Sequence, residues 1–241
     1  MATGQEHRSV YRGEEGAGRL NPHAHISSTL KMPRTLRSTG RSAIQPRRLP
    51  GTLHVVIGMN AHLAALGISL ESITARGLRE CQEATQLECA EIGADGTEHL
   101  LIPRAADAWR MLTSAAISDG IILFIVSAFR SIDRQAEIVR RKLDSGTPIE
   151  HILTVCAPPG YSEHHTGRAV DVAAPNSQPL EEAFDRTAAY AWLKRRAPAF
   201  GYRLSYPMAN PLGYSYEPWH WCFHDAPPGS AADARGTQRH A

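Results

Sequence analysis

Three short segments hold most of the side chains able to do chemistry. In Ser162-Glu163-His164-His165-Thr166-Gly167-Arg168-Ala169-Val170-Asp171 a histidine precedes an aspartate by seven residues, and a glycine between them permits a tight reversal. The strand period puts Ala169 and Asp171 on one face. Imidazole nitrogen and carboxylate oxygen both suit zinc, and Ala169 is too small to fill the space in front of a metal. A surface His-His loop followed by a solvated aspartate would read the same way. Spacing alone leaves both readings open, as it leaves open which of His164 and His165 would be the ligand.

The second segment is Tyr216-Glu217-Pro218-Trp219-His220-Trp221-Cys222. Alternation puts Trp219, Trp221 and Phe223 on one face and His220 with Cys222 on the other. A lone histidine there is usually a satisfied core residue. Glu217, three positions earlier with Pro218 between, changes the reading. On a flat strand the two would point to opposite faces, so a bend at Pro218 has to bring them together. His220 then becomes a third ligand and Glu217 a carboxylate beside the metal's water. Two histidines and an aspartate with one position open form the pattern of a catalytic site, whereas a closed set of four is structural. The third segment is Ser127-Ala128-Phe129-Arg130-Ser131, with Gln135 five residues beyond Arg130. Arg130 offers a planar fork suited to a carboxylate, or else is an ordinary surface charge at a strand end.

The elements that must position these segments are legible from Leu78 onward. An Asp95-Gly96 turn between apolar stretches predicts a hairpin over Leu87–Leu101. Ala105, Ala108, Trp109, Leu112, Ala115 and Ala116 recur at helical spacing, stopped by Asp119-Gly120. Ile121 to Ala128 reads as a strand buried on both faces. A helix is expected from Ser131-Ile132-Asp133 to Gly146, and a strand over Arg168–Ala173. An amphipathic helix marked by Phe184, Ala188, Ala191 and Trp192 should run to Ala197 and stop before Pro198. Two closing strands follow at Tyr202–Tyr206 and Trp219–Phe223. Strands and helices without regular alternation point to an α+β domain, an antiparallel central sheet flanked by helices.

Composition bounds the rest. The chain has 241 residues, 42% hydrophobic and 21% charged, ordinary for a globular protein. No apolar run reaches the roughly 18 residues needed to cross a bilayer, so no transmembrane segment is expected. Four cysteines (Cys81, Cys89, Cys156, Cys222) at irregular spacing without CxxC argue against a zinc ribbon or a disulfide scaffold. Buried free thiols are expected, with a Cys81–Cys89 pair the alternative in an oxidising compartment. Residues 1–50 carry nine Lys/Arg against three Asp/Glu, which leaves 17 basic and 21 acidic groups for residues 51–241. The basic charge belongs to the leader, and a nucleic-acid partner is disfavoured. The leader has one aromatic residue, Tyr11, and no period, so it is expected to be disordered and dispensable for chemistry. It lacks the blocks of a secretory signal peptide. Val55 to Leu70 is moderately apolar, but Asn60 and His62 interrupt it, which disfavours a signal or anchor there. The expected organisation is a leader over 1–50, one domain over 51–226 with its motif-bearing core at 78–225, and a flexible tail over 227–241.

In this order and spacing the three segments resemble the VanY-type D-alanyl-D-alanine carboxypeptidases, zinc peptidases grouped with the D-Ala-D-Ala dipeptidases and the hedgehog-like fold. The family pattern is Ser-x-His-x-x-Gly-x-Ala-x-Asp, then Glu-x-Trp-His, preceded by Ser-x-x-Arg-Ser with a downstream Gln. It is matched by Ser162 to Asp171, Glu217 to His220, and Ser127 to Ser131 with Gln135. The resemblance covers roughly residues 78–225. It implies one zinc per chain held by His164, Asp171 and His220, which selects His164 over His165. It further implies Glu217 as general base and Arg130, Gln135 and Ser162 as substrate contacts, with Arg130 also assisting at the developing oxyanion. The implied substrate is a peptidoglycan stem peptide ending in D-Ala-D-Ala, which would place the protein in the periplasm or cell envelope. Two rivals share the fold: an endopeptidase cutting an L-Ala–D-Glu or similar bond, and a zinc-binding module without turnover.

Overall fold

The computed structural model describes residues 59–225, so the expected leader over 1–50 and tail over 227–241 lie outside the described residues. Helical residues 59–65 (α1) and Leu70–Ala75 (α2) come first, α2 capped by Ser69. The hairpin follows as β1 (Glu88–Ile92) and β2 (Glu98–Leu101), paired antiparallel around Gly96, whose φ of 83° needs no side chain. Helix α3 (Pro103–Ser118) opens on a proline, where the missing N–H costs nothing, and turns Ala105, Trp109, Leu112 and Ala116 inward. Gly120, at φ 76°, ends it.

Helix α4 (Ile132–Asp144) shows every start and stop signal. The Ser131 hydroxyl accepts from Arg134 N–H, Asp133 sits in the first turn, and Arg141 and Lys142 occupy the last. Its buried stripe is Ile132, Gln135, Ala136 and Val139, so Gln135 is held on the inner face. A short helix, α5 (Ile149–Val155), follows and had no sequence expectation.

Strands β3 (Phe124–Ser127), β4 (Ala169–Ala173), β5 (Tyr202–Leu204) and β6 (His220–Phe223) form one sheet in the order β3-β4-β6-β5, with every neighbouring pair antiparallel. The α+β architecture is as expected. Strands β4 and β6 are central and buried throughout. The run Ile121–Ala128 departs from expectation. Only four of its residues form the strand, which lies at the sheet edge with Ile122 and Phe124 exposed. Its outer side faces the hairpin, where Glu91 accepts Ile125 N–H at 2.7 Å and Trp109 Nε1–H at 2.9 Å. That carboxylate blunts an edge that would otherwise offer a free donor.

The helix expected through Phe184 to Ala197 is also broken. A 3-10 turn (Glu182–Arg186) precedes α6 (Ala188–Arg196), because the Thr187 hydroxyl accepts Tyr190 N–H at 3.1 Å and starts the helix anew. The helix ends at Arg196, before Pro198 as expected, and Pro198 then sits at the start of a further 3-10 turn (Ala197–Phe200). Strand β5 stops at Leu204, two residues short of the expected Tyr206.

The main core lies between the sheet, α3 and α6, around Trp109, Val170, Trp192, Tyr202 and Trp221. A second cluster gathers Leu63, Leu66, Ile68 and Ile73 against Ala136, Val139, Ile152 and Cys156 of α4 and α5. Leu63, Leu66, Ile68 and Ile73, all before position 78, are therefore core. All four cysteines are free thiols.

Candidate active site

The sheet itself lines up the chemistry. Ser127 of β3 pairs with Asp171 of β4, and Asp171 pairs with His220 of β6, so one row of polar side chains runs across three adjacent strands. Period-two alternation gives the same face to Ala169 and sends Val170 and Trp221 into the core. His164 joins the row from the 3-10 turn Glu163–Thr166 that leads into β4. Gly167 closes that turn at φ 63°, and a Cβ there would come within 2.9 Å of Leu87 and 3.1 Å of Ile102.

His164, Asp171 and His220 are all buried, and their donor atoms lie within 4.8 Å of one another. His164 Nδ1–H donates to Ala128 O at 2.7 Å, which leaves Nε2 as the lone-pair nitrogen 3.2 Å from Asp171 Oδ2. His220 presents the opposite nitrogen, with Nδ1 3.1 Å from Asp171 Oδ1. The neighbouring His165 points elsewhere. Its Nδ1–H donates to Arg130 O at 2.6 Å and its Nε2 accepts Gly160 N–H at 3.1 Å, so both nitrogens are used in packing. Geometry thus separates the two adjacent histidines that spacing could not.

The bend needed at Pro218 is present. His220 N–H donates to Glu217 O at 3.1 Å across a turn at residues 218–219, and Glu217 Oε2 comes 3.8 Å from His220 Nδ1, the same nitrogen that faces Asp171. Burial pushes the Glu217 carboxyl up to about 7, opposed by His220 and reinforced by the negative charge of Asp171. Burial would also raise Asp171, but the two imidazoles beside it hold it below the usual carboxylate range. Burial opposes charge on His220, yet Asp171 and Glu163 on either side of its ring push it up to about 10. Without another cation the site therefore keeps a proton on His220. Two imidazoles and a carboxylate converging in a buried, electronegative pocket fit a divalent metal that would replace that proton.

Arg130, in the link between β3 and α4, is fixed from two sides. One terminal nitrogen donates to Gln135 Oε1 at 2.8 Å; the other donates to Ser127 Oγ at 2.9 Å and itself lies 3.9 Å from Asp171 Oδ2. Gln135 is oriented in turn by donating to Ala157 O at 2.7 Å and Cys156 Sγ at 3.1 Å. Ser162 is buried at the start of the His164 turn, and its hydroxyl makes no capping bond. The structure thus brings His164, Asp171, His220, Glu217 and Arg130 together, with Gln135 behind Arg130, while Ser162 is buried two residues before His164.

Sequence reasoning passed over three residues. Glu163 Oε2 lies 2.9 Å from His220 Nε2 and accepts from Ser205 Oγ at 2.6 Å, while the Tyr206 ring lies 4.7 Å from that of His220. The only signal for Glu163 was a carboxylate next to His164. Ser205 and Tyr206 were expected only as residues of the strand Tyr202–Tyr206, with no chemical role.

Fold and site together define a peptidase-like centre: an antiparallel sheet presenting a His-Asp-His donor set with a glutamate at its side. The family model of the VanY D-alanyl-D-alanine carboxypeptidases matches residues 98–226, and the chain belongs to that family. YodJ of Bacillus subtilis (strain 168) is 38% identical over 119 residues, 48% of this chain and 43% of its own length. A D-alanyl-D-alanine carboxypeptidase of Enterococcus faecalis (strain ATCC 700802 / V583) is 31% identical over 120 residues, 46% of this chain and 43% of its own. The chain thus spans less than half the length of these curated relatives. Among solved structures, the LdcB LD-carboxypeptidase aligns with a TM-score of 0.54 and 32% identity, over 58% of this chain and 69% of that one. Among the described residues, no helix is long and apolar enough to cross a membrane.

Proposed function

We propose that this protein is a zinc-dependent carboxypeptidase that removes the terminal D-alanine from peptidoglycan stem peptides ending in D-Ala-D-Ala, with one zinc per chain. The observation that carries the reading is the convergence of His164 Nε2, Asp171 and His220 Nδ1, with Glu217 on the same side of the His220 ring. Zinc, when bound there, supplies Lewis acidity toward a carbonyl oxygen and makes a water more acidic. Glu217 accepts the proton of the attacking water and passes it to the departing amine. Its raised pKa suits both halves of that exchange. Arg130, held rigid by Gln135 and Ser127, offers its guanidinium to the substrate's terminal carboxylate, and the Ser162 hydroxyl adds a polar contact beside His164. Such a substrate puts the site of action at the cell envelope.

A second reading is favoured by the likeness to the LdcB LD-carboxypeptidase: the residue before the scissile bond would then be an L centre. Mass spectrometry of stem peptides incubated with the protein, with and without chelator, tests both. Chelator-sensitive loss of one alanine from a peptide ending in D-Ala-D-Ala is the expected result. Loss of a D-alanine only where an L residue precedes it supports the second reading. Internal cleavage, or no cleavage by protein carrying zinc, refutes both.

A further inference from the structure

The two histidines of the donor set are both anchored through the nitrogen that faces away from the site, but by different partners. His164 gives Nδ1–H to a neutral backbone carbonyl, Ala128 O. His220 has a carboxylate: Glu163 Oε2, 2.9 Å from Nε2 and across the ring from the Nδ1 that faces Asp171. Glu163 is not a member of the converging donor set, so it does not compete for the metal position. Nor is it a free surface acid. Ser205, just past the end of β5, donates to the same oxygen at 2.6 Å, and the Tyr206 ring covers His220 at 4.7 Å. Glu163 and His164 are successive residues of one 3-10 turn. One side chain reaches Asp171 of β4 and the other reaches His220 of β6.

We propose that Glu163 is a positioning residue for the metal centre: by accepting the Nε2–H of His220 it fixes the ring and its tautomer, and so keeps Nδ1 as the ligand atom. This rests on the reading of His164, Asp171 and His220 as that centre. An imidazole whose far N–H is held by a carboxylate is a stronger donor than one bonded to a neutral group, and loss of such a partner typically weakens metal binding about 10–100-fold. Ser205 removes the rotational freedom of the carboxylate, so the ring is oriented before metal arrives. The turn thereby contributes one ligand directly and governs a second through its neighbour.

The test is zinc affinity by chelator competition on the full chain, wild type beside E163A and E163Q, with the visible spectrum of the cobalt-substituted forms as a second readout. E163A is expected to bind zinc about 10–100-fold more weakly. Its cobalt spectrum should also change, because the His220 donor is no longer held. E163Q, whose amide oxygen still accepts the hydrogen bond without the charge, should fall between E163A and wild type. If E163A binds zinc like wild type while unfolding more easily, Glu163 is merely structural and the proposal is overturned, with the metal centre intact. If E163A does not fold, the near-isosteric E163Q decides: weakened binding supports the proposal and unchanged binding overturns it. If H220A holds zinc as tightly as wild type, the metal centre itself is wrong and the proposal falls with it.

Discussion

Glu217 and His220 share one turn but carry different burdens. Glu217 is near enough to the donor set to take a proton there, and burial leaves its pKa near neutrality. Glu217→Gln is therefore expected to keep bound zinc and lose about 10²–10⁴-fold in turnover, read by metal analysis beside peptide hydrolysis. The same group shapes the stability of the metal-free protein. Its carboxyl is raised from 4.5 to about 7 on folding, so the stability it contributes is complete below about 4.5 and is lost as pH rises through 7. In denaturant titrations with chelator, Glu217→Gln should lack this loss and exceed wild type at pH 8 by as much as about 3 kcal/mol. Equal stabilities at pH 5 and pH 8 would contradict it. Arg130 makes a separate prediction. If it grips the terminal carboxylate, amidating the substrate slows wild type by roughly 10–100-fold, the worth of one charge-assisted bond. Arg130→Ala should then handle acid and amide alike. A variant equally impaired on both would place Arg130 at the oxyanion, and equal wild-type turnover of acid and amide would promote the endopeptidase reading.

At the scale of elements, the 3-10 turn before β4 does more than any helix to build the site. It turns His164 toward Asp171 and His165 toward Arg130 O and Gly160 N–H, and Gly167 at φ 63° lets the chain reverse into the strand. A side chain at 167 meets both the left-handed backbone and the close approach of Leu87 and Ile102. Gly167→Ala is expected to cost about 1–3 kcal/mol, measured as a shift in the denaturant midpoint, and to weaken zinc binding because His164 moves with the turn. An alanine variant with wild-type stability would show that the turn can relax. The edge position of β3 has its own logic. Glu91 takes the donor that the missing neighbour strand would have taken, so an apolar run of strand length need not lie between two strands.

Across the whole molecule, the matched family segment of residues 98–226 packs against residues that precede it. Arg76, at the end of α2, donates to Leu212 O at 2.9 Å and Leu153 O at 2.8 Å and stacks over the Tyr214 ring at 4.5 Å. It thereby holds the connection that carries Tyr206 and Glu217. Leu63, Leu66, Ile68 and Ile73 are buried on α4 and α5, each worth about 1.5–3 kcal/mol. Their sum is comparable to the whole stability of a typical domain. A chain of residues 51–226 is expected to fold and cleave, whereas one of residues 79–226 should fail to give a cooperative thermal transition. Cooperative unfolding of the shorter chain would show that the second cluster is an accessory.

The sequence by itself determined the α+β class, the hairpin, α3, α4 and the places of β4 and β6, because period, caps and turn residues are local signals. It also carried the candidate residues that the fold brings together, since a His, an Asp and a Glu-x-x-His at fixed spacing are chemistry written in one dimension. Spacing left His164 and His165 open and the family pattern selected His164; space supplies the reason, since His165 spends both nitrogens on Arg130 O and Gly160 N–H. The edge status of β3, the break at Thr187 and the second core cluster were likewise decided by what packs beside them, which hydrophobicity along the chain does not encode. Glu163 shows the same limit most sharply. It stands next to His164 in the chain, yet it acts on His220, 57 residues away, because only the antiparallel pairing of β4 with β6 brings that ring to its carboxylate.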